Sequence, residues 1–219
     1  MADESVDFNQ AGLDLHKRLG IVGGNGGSTY NTMDPIFTHA TTGGTIYVGN
    51  ESAARSLQSL RERGITHVVN CTHGFSAIPN YHPTAFAYLT FEIAEWSQKI
   101  GPSDDSAAAF VAPLWAFIDS ALAQGGSVLV HCLAGAHRAG TTGCACLIHY
   151  GRILDVPTAI RTAQSLRRII DPIGRLPHFL NRVLRLELQA STLPSPSAPP
   201  ASSGGEGGSS SSSSSSESK

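Results

Sequence analysis

The run Val128-Leu129-Val130-His131-Cys132-Leu133-Ala134-Gly135-Ala136-His137-Arg138-Ala139-Gly140-Thr141 sets a thiol at the end of an apolar segment and a guanidinium six residues later. A thiolate, not a thiol, is the nucleophile. The N–H groups of a tight loop and the start of a helix would draw a cysteine down from about 8.5 toward ~3.5–7.5. The same strand-to-helix junction is a natural anion site, because N–H groups and the helix dipole converge there. Five residues between Cys132 and Arg138 allow the chain to curl once around a tetrahedral dianion, with Gly135 supplying the backbone freedom of a concave turn. The planar fork of Arg138 would hold two oxygens at once, which a lysine could not do. The chemistry implied is phosphoryl transfer to the sulfur of Cys132. Leu133, Ala134, Gly135, Ala136, His137 and Arg138 would form the phosphate-binding loop.

A cysteine and an arginine at this spacing mean little alone. The histidine before, the glycine three residues after and the strand–loop–helix context give the pair its weight. The competing reading of Cys132 is an inert core cysteine at a strand end. That bland reading is the better one for Cys71, Cys144 and Cys146, which sit in apolar strand or helix runs. Cys144 and Cys146 are too close for a zinc knuckle, so no zinc pair is expected there. His131 reads as a residue that orients the loop rather than as an acid or base. For His137, contact with substrate and a solvent-facing loop position both stay open.

The elements that must position this loop follow from periodicity. Thr45 to Val48 reads as a short strand and Glu51 to Arg63 as a helix closed by Gly64. Ile65 to Asn70 and Ser127 to His131 are β-branched runs with little alternation, as in strands covered on both faces. Phe86 to Ile93 is predicted as a further strand, Ala107 to Ala123 as a long helix with Asp105 as its N-cap, and Ala139 to His149 as the helix after the loop. Asp155 can cap a helix carrying Ile160, Ala163, Leu166 and Ile170, and Pro177 opens one carrying Phe179, Leu180, Val183 and Leu184. Strands alternating with helices make an α/β sheet with parallel neighbours. The glycines from Gly20 to Gly27 do not have dinucleotide-loop spacing, and no strand precedes them, so they read as a flexible loop.

The 219 residues allow one domain and an appendage. Charged residues are only 15% of the chain, diluted by a Ser, Gly and Pro-rich tail from Ser191 to Lys219 that lacks the apolar surface to order itself. A net charge of −2 provides no basic stripe for nucleic acid. No run of 18 apolar residues suggests a membrane span. Four cysteines without a secretory leader suit a reducing compartment, so a cytoplasmic or nuclear location is expected.

At these residues the chain resembles the cysteine-dependent protein phosphatases with a His-Cys-x5-Arg signature, and among them the small, atypical dual-specificity phosphatases. Ile46 to Asn50, Gly64 to Asn70, Tyr88-Leu89, Phe117 to Asp119 and Arg167-Arg168 are similar to further landmarks of that family. The resemblance implies a three-layer α/β/α domain over 45–190, with a central, mostly parallel sheet of about four to five strands. Residues 1–44 would be a partly flexible extension and 191–219 a disordered tail. It implies a cysteinyl-phosphate intermediate and hydrolysis of phosphotyrosine and phosphoserine/threonine in a phosphorylated protein partner. Two positions depart from the family pattern. Ala139 stands where a hydroxyl usually assists breakdown of the phosphoenzyme, so turnover is expected to be slow unless Thr141 or Thr142 substitutes. The general acid falls on Glu95 when counted from the preceding strand, with Asp104 second. Other readings are a phosphatase for a phosphoglucan or phosphoinositide, or a slow or non-catalytic phosphoprotein-binding module. The loop's lack of lysines weighs against phosphoinositides.

Overall fold

The computed structural model describes residues 6–20, 31–74 and 77–192. The glycines from 21 to 27 and the tail from 193 lie outside these residues. Five strands, β1 (Met33–Thr38), β2 (Thr45–Gly49), β3 (Ile65–Asn70), β4 (Ala87–Thr90) and β5 (Ser127–His131), form one sheet in the order β1-β2-β5-β3-β4. All but β1 run parallel, and β1 pairs antiparallel with β2. The central strand β5 is buried at every residue, which explains why Val128, Leu129 and Val130 are apolar without alternation.

Eight helices accompany the sheet among the described residues: α1 (Phe8–Arg18), α2 (Glu51–Arg55), α3 (Leu57–Glu62), α4 (Trp96–Lys99), α5 (Asp104–Ala123), α6 (Arg138–His149), α7 (Val156–Leu166) and α8 (Leu176–Thr192). Strand residues alternate between two cores. Ile46, Val48, Val69, Val128 and Val130 join the larger one with α5 to α8. Val68 and Leu129 join the smaller one with Ala53, Ala54 and Leu60 of α2 and α3. Sheet and helices thus make the expected three layers. By length and mean hydropathy α5 could cross a membrane, but Val111, Leu114, Ile118 and Leu122 bury its apolar stripe in the larger core.

Several boundaries differ from the sequence expectations. The helix predicted over Glu51 to Arg63 breaks at Ser56, whose extended backbone ends α2 and whose hydroxyl caps Ser59 N–H of α3 at 3.3 Å. The strand predicted from Phe86 to Ile93 ends at Thr90, because Ile93 N–H turns back to the Phe91 carbonyl and opens a single 3-10 turn, Ile93–Glu95. Ser103 rather than Asp105 caps α5, which starts at Asp104. Ile170 lies beyond the end of α7. Ser191 lies within α8, not in a tail. The 1–44 segment contributes α1 and β1, which periodicity did not show. β1 carries Pro35; it is an edge strand with a register shift between Pro35 and Phe37, where a missing N–H is tolerated.

The register sets the functional edge. Gly49, His131, Asn70 and Thr90 lie abreast as the last residues of the four parallel strands. The chain leaves β5 there directly into Cys132.

Candidate active site

Cys132 follows the last residue of β5 and is 2% exposed. From it the loop runs through Leu133, Ala134, Gly135, Ala136 and His137 to Arg138, the first residue of α6. The loop's carbonyls are held from outside. Glu51 N–H donates to Leu133 O at 3.1 Å, Asp171 N–H donates to Ala136 O at 3.2 Å, and Arg167 Nε donates to Gly135 O at 2.9 Å. In a planar trans peptide the N–H points opposite to the C=O. Fixing those carbonyls outward therefore turns the N–H groups of Ala134, Ala136 and His137 toward the hollow of the loop. His137 supplies no side-chain cap to the first turn of α6, whose N–H groups are donors of the kind that hold an anion. N–H groups turned inward in a loop that starts at Cys132 are the donors that a phosphate dianion needs.

Gly135 makes the curl possible. It adopts φ +67°, and a Cβ there would lie 2.5 Å from the carbonyl of Gly49 and 2.8 Å from Arg167 Nη2. The loop is thus locked onto the end of β2 and onto Arg167, whose side chain is 1% exposed and whose Nη1 binds Asp34 Oδ2 at 2.6 Å and the Asn31 carbonyl at 3.0 Å. The sequence marked Arg167 only as part of a resemblance. Its role depends on β1 and on a loop 32 residues away, which no local pattern encodes.

His131 is fully buried, and its pKa is pushed down to about 4, chiefly because burial disfavours the charged ring. It is neutral at physiological pH, consistent with an orienting rather than an acid–base part. His137 is buried instead of facing solvent, and its Nδ1 donates to the Asp171 carbonyl at 2.6 Å. Cys71 and Cys146 are core thiols raised by burial, Cys71 to about 12. Cys144 is likewise raised to about 12.

The two candidate acids are placed differently. Glu95 closes the 3-10 turn beyond β4, at the same sheet edge as Cys132, and its Oε1 lies 2.5 Å from His73 Nε2. His73, just past β3, is a neighbour that no motif in the sequence singles out. Asp104 is tied to α8: Arg185 Nε forms an ion pair with its Oδ1 at 3.0 Å, and Gln189 Nε2 donates to its Oδ2 at 2.8 Å. Thr141 and Thr142 donate their hydroxyls one turn back, to the carbonyls of His137 (2.6 Å) and Arg138 (3.1 Å).

Residues 46–185 match the family model described as the dual specificity phosphatase catalytic domain. The chain belongs to that family. A curated relative, dual specificity protein phosphatase 26 of Bos taurus, is 35% identical over 150 residues, covering 66% of this chain and 68% of its own. The crystal structure of human tyrosine phosphatase-like serine/threonine/tyrosine-interacting protein superposes with a TM-score of 0.53 at 26% identity, over 65% of this chain and 93% of the other. Human DUSP28 shares the fold with a TM-score of 0.51 at 20% identity, over 73% of this chain and 96% of the other. This dual-specificity protein phosphatase therefore carries its Cys132–Arg138 loop on the family's α/β scaffold, while α1 and β1 precede the matched region.

Proposed function

We propose that this phosphatase hydrolyses phosphotyrosine and phosphoserine/threonine in proteins through a cysteinyl-phosphate intermediate. The observation that carries the reading is the loop whose carbonyls are pinned outward by Glu51, Arg167 and Asp171, leaving N–H groups and Arg138 to surround an anion next to Cys132. In the first step the thiolate of Cys132 attacks phosphorus, the ester P–O bond breaks, and the leaving oxygen takes a proton from Glu95. In the second step Glu95 accepts a proton from water, the water oxygen bonds to phosphorus, and the S–P bond breaks to release inorganic phosphate and thiolate. Arg138 and the N–H cradle stabilise the three equatorial oxygens in both transition states. Glu95, whose carboxylate meets His73 and Lys99, is preferred to Asp104 because it follows β4, whose end lies abreast of the end of β5, whereas Asp104 faces α8.

The loop side chains at Leu133, Ala134 and Ala136 supply no cation for a second phosphate, which favours a singly phosphorylated side chain over a phosphoinositide. A second reading, retention of a phosphoprotein rather than rapid turnover, is favoured by Ala139 and by the internally bonded Thr141 and Thr142. Hydrolysis of a small aryl phosphate by wild type and Cys132→Ser, followed by phosphotyrosyl and phosphothreonyl peptides, tests both. Wild type is expected to turn over and Cys132→Ser to be silent. Equal rates overturn the catalytic reading.

A further inference from the structure

Helix α1 begins before the segment matched by the family model, yet it is seated on the phosphate loop. Gly12 approaches so closely that a Cβ there would lie 3.0 Å from Ala134 Cβ. Leu15 is buried with Ala134, Ala136 and Ile169. Asp7 caps the helix, its Oδ1 accepting the N–H groups of Asn9 (2.9 Å) and Gln10 (3.0 Å). With the cap supplied by Asp7, the Asn9 carboxamide extends across to the loop, where its Oδ1 accepts a hydrogen bond from Nη2 of Arg138. The Phe8 ring flanks the same guanidinium, 5.7 Å from centroid to Cζ. Arg138 is 4% exposed, and among the described residues its Nε meets no hydrogen-bond acceptor.

We propose that Asn9 is a positioning residue that aims Arg138 at the substrate phosphate, so that α1 is a working part of the catalytic unit. This rests on the reading of Cys132 and Arg138 given above. An arginine side chain has considerable rotamer freedom, and holding it before substrate arrives lowers the cost of binding. Asn9 occupies one nitrogen and leaves the buried Nε without a protein acceptor, as the bidentate grip on a phosphate requires. A carboxylate at position 9 would neutralise the guanidinium, whereas the neutral carboxamide orients it and leaves its charge intact. Phe8 fixes the plane of the guanidinium and covers its face. The close contact of Gly12 with Ala134 makes helix and loop one packed body, unlike a lid that must lift.

The test uses the full chain and three variants, Asn9→Ala, Leu15→Asp and Cys132→Ser. Binding of inorganic phosphate is measured by calorimetry. Alkylation of Cys132 is compared with iodoacetate, an anion, and iodoacetamide, its neutral analogue. Asn9→Ala is expected to weaken phosphate binding about tenfold, as for loss of one hydrogen bond to a charged group, and to lower the iodoacetate-to-iodoacetamide rate ratio similarly with an unchanged melting temperature. Leu15→Asp, which unseats the helix, is expected to lower the same ratio. A merely structural change would alter both alkylation rates together. Unchanged or tighter phosphate binding in Asn9→Ala, the behaviour of a residue that is neutral or competes with substrate, overturns the proposal. If wild type hydrolyses an aryl phosphate no faster than Cys132→Ser, the catalytic reading fails, while phosphate binding and the alkylation ratio still decide the role of Asn9.

Discussion

Arg167 Nε donates to the carbonyl of Gly135 across 2.9 Å, so the residue that ends α7 fixes the one peptide where the phosphate loop turns through a positive φ. The same buried guanidinium pairs with Asp34 on β1. Removing one partner of a buried pair leaves the other charge uncompensated, a loss of about 3–5 kcal/mol. Arg167→Met is therefore expected to lower the unfolding free energy by about that amount and to weaken phosphate binding through the released Gly135 carbonyl. Urea unfolding of Arg167→Met, Asp34→Asn and the double variant checks this, with the double variant less destabilised than the sum of the singles. Additive losses would mean that the two side chains act separately.

The parts of this site written in local pattern were legible, and those made by distant contacts were not. Ile65–Asn70 and Ser127–His131 are strands over the very residues expected, because buried parallel strands need continuous β-branched runs. Cys132, Arg138 and the loop between them follow from spacing and context. The supports of the loop come from elsewhere in the chain. Asn9 meets Arg138 across 129 residues and Asp34 meets Arg167 across 133, and α1 and β1 are masked in the sequence by neighbouring glycines and by Pro35. The break at Ser56 was hidden for a different reason: a serine fits a helix interior and a cap, and tertiary packing chooses between them.

His131 ties stability to pH. Its folded-state pKa of about 4 lies below the ordinary 6.5, so the unfolded chain binds the extra proton. Stability from this group is present above about pH 6.5 and falls as pH drops from there to about 4, where the loss reaches roughly 3 kcal/mol. Urea unfolding at a series of pH values should show this decline in wild type. A His131→Gln protein removes the titrating ring, and its stability is expected to fall less steeply over the same window. Parallel curves would show that His131 does not drive the decline.

Glu95 and Asp104 differ in what each holds. Glu95→Gln is expected to remove the alkaline limb of the pH–rate profile and to lower kcat/KM by roughly 10²–10⁴ on a phosphothreonyl peptide, whose poor leaving group needs a proton. The loss should be smaller on an activated aryl phosphate. Asp104→Asn should leave the profile unchanged and reduce stability modestly, through its half-buried contacts with Arg185 and Gln189. Retention of the alkaline limb in Glu95→Gln, or its loss in Asp104→Asn, would reassign the acid.

Ala139 sits fully buried in the first turn of α6, in the same core cluster as Cys132. When the phosphoenzyme breaks down, negative charge builds on the departing sulfur, and a fixed hydroxyl donor would stabilise it. The hydroxyls of Thr141 and Thr142 donate to the carbonyls of His137 and Arg138, so neither directs its proton to Cys132. On the proposed mechanism, dephosphorylation is expected to be the slow step. Rapid mixing with an aryl phosphate should give a burst of the phenol product close to one equivalent, followed by slow turnover. Ala139→Ser is expected to raise the steady rate roughly tenfold and to shrink the burst, while leaving the rate of the burst itself nearly unchanged, because the first step does not expel sulfur. A wild-type progress curve without a burst, together with unchanged turnover in Ala139→Ser, would place the slow step before the phosphoenzyme and make the missing hydroxyl irrelevant to rate.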